Sequence, residues 1–175
     1  MQFKLLSLAA LASTVLADGS GIISALATIT SDTISLNDTV SSWDGGLLTL
    51  IPIVAASSKL LHDIKEGTIH AKAADPLTFD ETISVATATI ALATDVGQVV
   101  DTLIAAKPKF DKLLVVSPII LLNLHQEQQA TDLFSAAVIE KVPAPLQETA
   151  KGLIKPIDDN FNRGIKVFGP WTPGA

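Results

Sequence analysis

The stretch that decides the fold lies at residues 79–106 and reads FDETISVATATIALATDVGQVVDTLIAA. Apolar and small residues recur there every three or four positions, which is the period of an α-helix with an apolar face. They form two adjacent stripes, the first with Phe79, Ile83, Ala86, Ile90, Ala93, Gly97, Val100 and Ile104, the second with Val85, Leu92, Val96, Val99 and Leu103. Two apolar faces predict a helix that is covered on most sides, so we expect it at the centre of the fold.

The same periodicity predicts four more helices, at residues 20–43, 47–66, 109–141 and 146–168. Gly67 is a natural stop for the second helix, and Lys107-Pro108 should end the central one. Pro118 should kink the fourth helix, while Pro156 should bend the last. No segment alternates β-branched and polar residues between turn signals. The pattern therefore predicts an all-α, single-domain bundle of about five amphipathic helices.

The N-terminal residues have the character of a secretory signal peptide. Lys4 provides a positive start, residues 5–16 are apolar or small, and small residues precede a cleavage site after Ala17. We therefore expect residues 1–17 to be a signal peptide and residues 18–175 to form the helical domain. The C-terminal residues are not a hydrophobic tail, so no glycolipid anchor is expected. The predicted location is extracellular.

Composition and missing motifs argue against several classes of protein. The net charge of -6, without a basic block, disfavours nucleic acid, and the absence of Cys excludes disulfides and thiolate zinc sites. There is no Gly-x-Ser-x-Gly, no phosphate-binding glycine loop and no His-Glu-x-x-His. His62, His70 and His125 have no recognisable ligand spacing. We expect a non-enzymatic protein with no cofactor, no metal and no membrane span.

The apolar segments themselves suggest a binding role. Nine of the twelve residues at 113–124 are large aliphatics, so either both faces of this segment are covered by other helices or part of it is exposed and adhesive. Ala86, Ala93 and Gly97 are small, which indicates either close helix packing or room for a ligand. Ser57 and Asn123 lie within apolar surroundings. Such a polar side chain can form a hydrogen bond to its own helix backbone or point outward to solvent. Alternatively, Ser57 or Asn123 fixes the polar head of an apolar ligand.

A series of short segments carries a family resemblance. After the predicted signal peptide come ITSDTISLNDTVSSWDGG at residues 29–46 and AASSKLLHDIKEG at residues 55–67. DPL at residues 75–77 then opens the Thr- and Ala-rich helix, and KPKF follows at residues 107–110. In this order the segments resemble the fungal hydrophobic-surface-binding protein and cell-wall galactomannoprotein family, over essentially the whole mature chain.

The resemblance implies a secreted bundle of about five helices that binds lipid or hydrophobic material. Some members adhere to hydrophobic solids and help recruit lipolytic esterases, whereas others enclose a long-chain fatty acid between their helices. The expected partners are therefore a long-chain fatty acid or other lipid, a hydrophobic solid surface and a secreted esterase. Two alternatives stay open: a structural or antigenic wall protein without a ligand, and a weak esterase of unrecognised type.

The apolar stripes and embedded polar groups supply the candidate site residues. The lipid-binding candidates are Val54, Ser57, Leu61, Ile83, Ala86, Ile90, Ala93, Gly97, Ile120, Asn123, Phe134, Ile157 and Phe161. If a cavity lies beside Ala93 and Gly97, enlarging either residue should reduce lipid uptake. Asn37-Asp38-Thr39 is an N-glycosylation sequon, so Asn37 is a glycosylation candidate.

Overall fold

Residues 19–169 form five α-helices in the computed structural model, which describes this part of the chain. The helices are α1 (Gly19–Ser41), α2 (Ile51–Ala73), α3 (Phe79–Asp111), α4 (Val116–Lys141) and α5 (Gln147–Phe168). Single turns of 3-10 helix precede α2 and α5, and the described residues contain no strand. The predicted all-α bundle of five helices is confirmed. The predicted signal peptide and the last residues of the chain lie outside the described residues.

The helices pack side by side in a closed ring. α1 contacts α2 and α3, α2 also contacts α4, and α5 closes the ring between α4 and α3. α2 and α4 run in the same direction, because Ser57 bonds to Glu127 and, further along both helices, Gly67 meets Phe134. A ring has no central helix, so the prediction that α3 is central and covered on most sides is wrong. The N-terminal half of its first apolar stripe is exposed, with Ile83 50% and Ile90 54% accessible, whereas Ala93 and Val100 of the same stripe are buried.

The predicted ends of the second and third helices, the predicted start of the fourth at residue 109 and its predicted kink at Pro118 are wrong. α2 continues past Gly67 to Ala73. A Cβ at Gly67 would lie 3.2 Å from a ring carbon of Phe134, so this glycine permits close helix contact. α3 runs through Pro108 to Asp111. Pro118 lies in the first turn of α4, where a missing N–H leaves no carbonyl unpaired, so the predicted kink is absent.

Aromatic stacking fixes the end of the bundle where α1, α3 and α5 finish. Trp43, just after α1, stacks on Phe110 of α3 with ring centroids 4.6 Å apart, and Phe110 also contacts Phe168 of α5. All three rings are buried. The Trp43 indole N–H donates to the carbonyl of Gly46 at 3.0 Å, which holds the connection to α2 against this cluster. This end of the bundle is therefore well ordered around the start of α2.

Candidate functional site

The centre of the ring encloses a narrow apolar cavity. Its volume is about 30 Å³, which is the space of about one water molecule. All five helices contribute to its wall, and every lining residue except Thr33, Glu127 and Thr131 is apolar. The Thr33 hydroxyl is satisfied by its own helix, since it donates to the carbonyl of Ile29 at 2.8 Å. Glu127 is the one ionisable group in this wall.

A second cavity of about 20 Å³ adjoins the first and contains most of the polar groups. It shares Leu36, Leu103, Leu124 and Glu127 with the central cavity, and its remaining wall consists of Ile53, Ser57, Ile120 and Asn123. Ser57 comes from α2, whereas Asn123 and Glu127 lie one turn apart on α4. We call these three residues the polar group. It faces an interior that is otherwise apolar, as is typical of a pocket that orients the head of an apolar ligand.

Glu127 is buried with a single hydrogen bond. Its side chain is only 5% exposed, and the Ser57 hydroxyl donates to its Oε1 at 2.6 Å. Among the described residues no cation pairs with it. Burial raises the pKa of Glu127 to about 7, because an ionised carboxyl loses its hydration there, and the bond from Ser57 offsets only part of this effect. The carboxyl therefore changes charge near neutral pH inside the bundle.

Sequence reasoning missed Glu127 because it lies in the polar run HQEQQ at residues 125–129. That composition is typical of a solvent-facing turn. The signal that could have found it is helical spacing, since Ile120, Leu124, Glu127, Thr131 and Phe134 alternate steps of four and three residues. Such residues share one face of a helix, and the structure buries that face.

The predicted site residues divide into three groups. Phe134, Ile157 and Phe161 line the central cavity, and Ser57, Ile120 and Asn123 line the adjoining one. Ile83 and Ala86 instead line a separate apolar groove of about 200 Å³ between α3, the end of α4 and the start of α5. The candidates that line neither the cavities nor this groove are Val54, Leu61, Ile90, Ala93 and Gly97.

Gly97 and Ala93 do not lie beside open space. A Cβ added at Gly97 would sit 3.2 Å from the side-chain nitrogen of Asn160, so this position serves contact between α3 and α5. Ala93 is buried in the core and lines neither interior cavity. Gly97 therefore permits close helix packing, which is the first of the two alternatives considered for the small residues of α3. Asn37 is half-buried and accepts a hydrogen bond from Thr102 at 2.6 Å, and its glycosylation stays a prediction.

One end of the bundle exposes a dense set of aliphatic side chains. Because α2 and α4 run in the same direction, their N-terminal ends lie at the same end of the ring. The exposed residues there, which we call the aliphatic end, are Leu47, Leu48, Ile51, Leu114, Val115, Ile119 and Leu122. Leu48 is 82% exposed and Leu114 69% exposed. Of the two alternatives for residues 113–124, partial exposure is the one observed, because Val116, Ile120 and Leu124 are buried while the outer side of the segment is not covered.

The backbone holds one of these residues in an unfavourable conformation. Leu114, between α3 and α4, has a φ of 43°, in the left-handed region that a branched side chain rarely adopts. This conformation costs about 1–2 kcal/mol relative to the right-handed region. Strain of this kind is often found at functional positions, and here it coincides with an exposed leucine.

No metal-binding cluster is present within residues 19–169, where no three His, Asp or Glu side chains converge. The same part of the chain has one helix, α3, whose length and composition would suffice to cross a bilayer. In the structure α3 packs against α1 and α5 as a member of the ring. We therefore interpret it as a bundle helix with an apolar outer side, and the absence of a membrane span stays a prediction.

The fold and site define a class of protein: a closed ring of five helices around a narrow apolar interior that contains one buried carboxyl. Residues 19–140 match the family described as Hydrophobic surface binding protein A, so the chain belongs to that family. This confirms the family resemblance that the sequence segments carry.

Individual relatives show which proteins within and around this family the chain is similar to. It is 26% identical over 174 residues to Cell wall mannoprotein 1 of Aspergillus flavus, a match that covers 96% of this chain but 63% of that protein. The structure of AfMp4p in complex with palmitic acid superposes with a TM-score of 0.82 at 30% identity, over 86% of this chain and 99% of the other. Ligand binding domain 1 of Penicillium marneffei MP1 protein, complexed with arachidonic acids, has the same fold. Its TM-score is 0.82 at 20% identity, over 87% of this chain and 99% of that domain.

Proposed function

We propose that this chain is a secreted, non-enzymatic protein that binds a long-chain fatty acid or a related lipid between its helices. The observation that carries the proposal is the apolar interior to which all five helices contribute, with the polar group at one side. Support comes from AfMp4p, which shares 30% of its residues with this chain and was solved with palmitic acid. Residues 18–175 would be the binding domain, and residues 1–17 the signal peptide.

The closed interior is too small for such a ligand, so binding requires the helices to separate. Ligand pockets are usually about 300–1,000 Å³, whereas the central cavity holds about 30 Å³. Burying a methylene is favourable by about 0.8 kcal/mol, so a sixteen-carbon chain supplies on the order of 10 kcal/mol before ordering costs. This gross term is large enough to offset the loss of several helix contacts.

The polar group gives the ligand a defined orientation in this proposal. Ser57, Asn123 and Glu127 would bond the head group, and the acyl chain would extend along α4 toward Phe134, where Ile157 also lines the cavity. The helix spacing of 1.5 Å per residue puts Phe134 about 10 Å along α4 from Glu127. The apolar wall between them matches the chemistry of an acyl chain.

The first test is native mass spectrometry of the secreted protein, compared with a denaturing spectrum and with organic extraction. We expect a bound mass in the fatty-acid range that is present only natively, or uptake of added palmitic acid by the empty protein. A doubly substituted variant, Ser57→Ala with Asn123→Ala, should weaken palmitic acid binding by about three- to tenfold per lost hydrogen bond. Ser58→Ala is the matched control, because Ser58 is exposed. A folded protein that takes up no lipid would contradict the proposal.

The aliphatic end favours a second function, adsorption to hydrophobic solids. Its leucines, isoleucine residues and valine form an exposed apolar surface at one end of the bundle, and proteins without a binding role rarely expose such a surface. The family description supports this proposal. Recruitment of a secreted esterase to the coated solid stays a prediction that a pull-down on coated beads would test.

Adsorption can be assigned to one end of the bundle with paired variants. Leu48→Ser combined with Leu114→Ser removes two exposed aliphatics, each worth about 1.5–3 kcal/mol when buried, so affinity for polyester beads should fall at least tenfold. Phe79→Ser combined with Ile83→Ser is the control, because it removes as many exposed apolar side chains from the outer side of α3. Equal loss of adsorption in both variants would refute the assignment to the aliphatic end.

A further inference from the structure

We propose that Glu127 makes fatty-acid binding proton-linked: the bound fatty acid and the Glu127 carboxyl share one proton, which Glu127 already carries at low pH and which must be taken up from solvent at high pH. This inference rests on the proposed function and names a residue that determines which head group the site accepts. Fatty alcohols, which carry their own O–H donor, would enter without a proton.

The geometry around Glu127 is the first argument. Its carboxyl lies where the two interior cavities meet, and the Ser57 hydroxyl is its one hydrogen-bond partner among the described residues. An ionised carboxylate can accept about four hydrogen bonds, so one donor leaves it poorly compensated in an apolar interior. A protonated carboxyl needs less compensation and has an O–H that can donate to an incoming oxygen.

The second argument is that no other charged side chain lines the two cavities, so none stabilises or destabilises the ionised form of Glu127 there. The walls of both cavities contain no Lys, Arg, His or Asp and no second Glu from any of the five helices, within residues 19–169. The ion pair of Lys59 with Asp32, at 2.6 Å, links α1 to α2, and the pair of Lys59 with Asp63, at 2.7 Å, lies within α2. None of these three residues lines either cavity. Burial accordingly raises the pKa of Glu127 to about 7, with no Coulombic contribution from a neighbour.

The consequence for a ligand follows from the chemistry of two carboxyls in one site. Two ionised carboxylates at hydrogen-bond distance repel strongly, so such a pair holds one proton between its members. Below about pH 6 Glu127 already carries that proton, and a fatty-acid anion binds without taking up another. Well above pH 7 the proton must come from solvent, and the apparent affinity should then fall up to about tenfold per pH unit.

The experiment compares dodecanoic acid with 1-dodecanol, both kept below their aggregation concentrations, on the delipidated secreted protein between pH 6 and pH 9. Isothermal titration in two buffers with different protonation enthalpies gives both the Kd and the protons taken up. For dodecanoic acid at pH 9 we expect uptake of about one proton and a Kd that rises up to about tenfold between pH 8 and pH 9. For 1-dodecanol we expect a Kd that changes by less than about twofold over the same interval.

Variants then assign the proton to Glu127. Glu127→Gln should abolish proton uptake and make the Kd of dodecanoic acid independent of pH, because the amide stays neutral. Glu140→Gln removes an exposed carboxyl from the same helix and should behave as the unaltered protein. Ser57→Ala removes the donor that favours the Glu127 anion, so the loss of affinity should move to higher pH.

The outcomes separate this inference from the proposed function. Binding of dodecanoic acid with a Kd that is independent of pH in the unaltered protein overturns the proton linkage and leaves the proposed function standing. Proton uptake that persists in Glu127→Gln also overturns it, because another group then supplies the proton. Absence of binding of both probes at every pH overturns the proposed function, and this inference with it.

Discussion

Replacing Glu127 with Gln should stabilise the folded protein at pH 8 by about 3 kcal/mol more than at pH 4. The pKa of Glu127 is about 7 in the folded chain, against 4.5 for an ordinary glutamate. As pH rises from 4.5 to 7, the unfolded chain loses this proton and the folded chain keeps it. The folded state therefore loses stability through that interval. Glutamine does not titrate, so the variant escapes this loss.

The magnitude follows from the width of that interval. A gap of about two and a half pH units, at about 1.4 kcal/mol per unit, gives about 3 kcal/mol. Because Glu127 is fully enclosed, solvent screening does not reduce this figure. A buried amide that lacks one hydrogen bond would add a constant penalty of about 1–3 kcal/mol, but such a penalty is the same at both pH values. The difference between pH 4 and pH 8 is therefore the quantity to measure.

Urea unfolding of both proteins at pH 4 and pH 8 provides the assay. With an m value of about 1–3 kcal/mol/M, the pH-dependent part of the change corresponds to a midpoint shift of about 1–3 M urea. Glu140→Gln, with its exposed carboxyl, should show no comparable pH dependence. If Glu127→Gln changes stability equally at both pH values, the Glu127 carboxyl is not held in an apolar site. The electrostatic argument for proton-linked binding would then fail as well.

Three further predictions concern packing and the aliphatic end. Gly67→Ala should lower the free energy of unfolding by up to about 2 kcal/mol, because overpacking costs about 1–3 kcal/mol and the gain in helix propensity offsets about 0.5–1 kcal/mol of it. Gly152→Ala, with open space around it, should raise the free energy of unfolding by about 0.5–1 kcal/mol. Equal effects in urea unfolding would contradict this account of α2. Leu114→Gly should raise stability by up to about 1 kcal/mol, because glycine tolerates a positive φ, and should also reduce adsorption to polyester beads. Trp43→Ala should cost about 3–5 kcal/mol, since it removes the ring stacked on Phe110, and an unchanged unfolding midpoint would rule this out.

Helical periodicity predicts the number of helices and their approximate order, because each helix shows an apolar stripe at steps of three and four. It cannot tell which apolar stripe is covered. Phe79, Ile83 and Ile90 belong to a regular stripe of α3, yet they are exposed, whereas Ala93 and Val100 further along the same stripe are buried. Which part of an apolar stripe is buried depends on where the neighbouring helices lie. The spacing of apolar residues within one segment contains no information about those neighbours.

Local stop signals fail where tertiary contacts use the same residue for another purpose. A glycine after a helical pattern usually ends a helix, but α2 continues through Gly67, where the missing side chain permits the close approach of Phe134. Pro118 occupies the first turn of α4, where proline is well tolerated, so the break falls earlier, near Leu114. Glycine is common at helix C-termini and proline in the first turn of a helix. Where the helix actually ends relative to such a residue is decided by tertiary packing.

The candidate site was partly accessible from the sequence. Ser57 and Asn123 stand out as polar residues in apolar surroundings, and Phe134, Ile157 and Phe161 belong to apolar stripes that do face the interior. Glu127 does not stand out, because its immediate neighbours are polar and a buried carboxyl without a counter-charge is rare. Helical spacing places Glu127 on the same face as Leu124 and Thr131. The polar composition of residues 125–129 nevertheless suggests a solvent-exposed turn.

Glu127 also explains how a nearly filled bundle could favour opening. A leucine at this position would close the core at no electrostatic cost, whereas the buried carboxyl weakens the empty bundle by about 3 kcal/mol above pH 7. Donors that reach the carboxyl, from a ligand head group or from water that follows it, recover part of that free energy only when the helices separate. The residue thus lowers the stability of the closed state relative to the liganded one. We therefore expect Glu127→Leu to give a more stable protein that takes up 1-dodecanol, whose hydroxyl can donate to the ionised carboxyl, less readily at pH 8. A variant that is more stable with undiminished uptake would show that opening does not depend on this carboxyl.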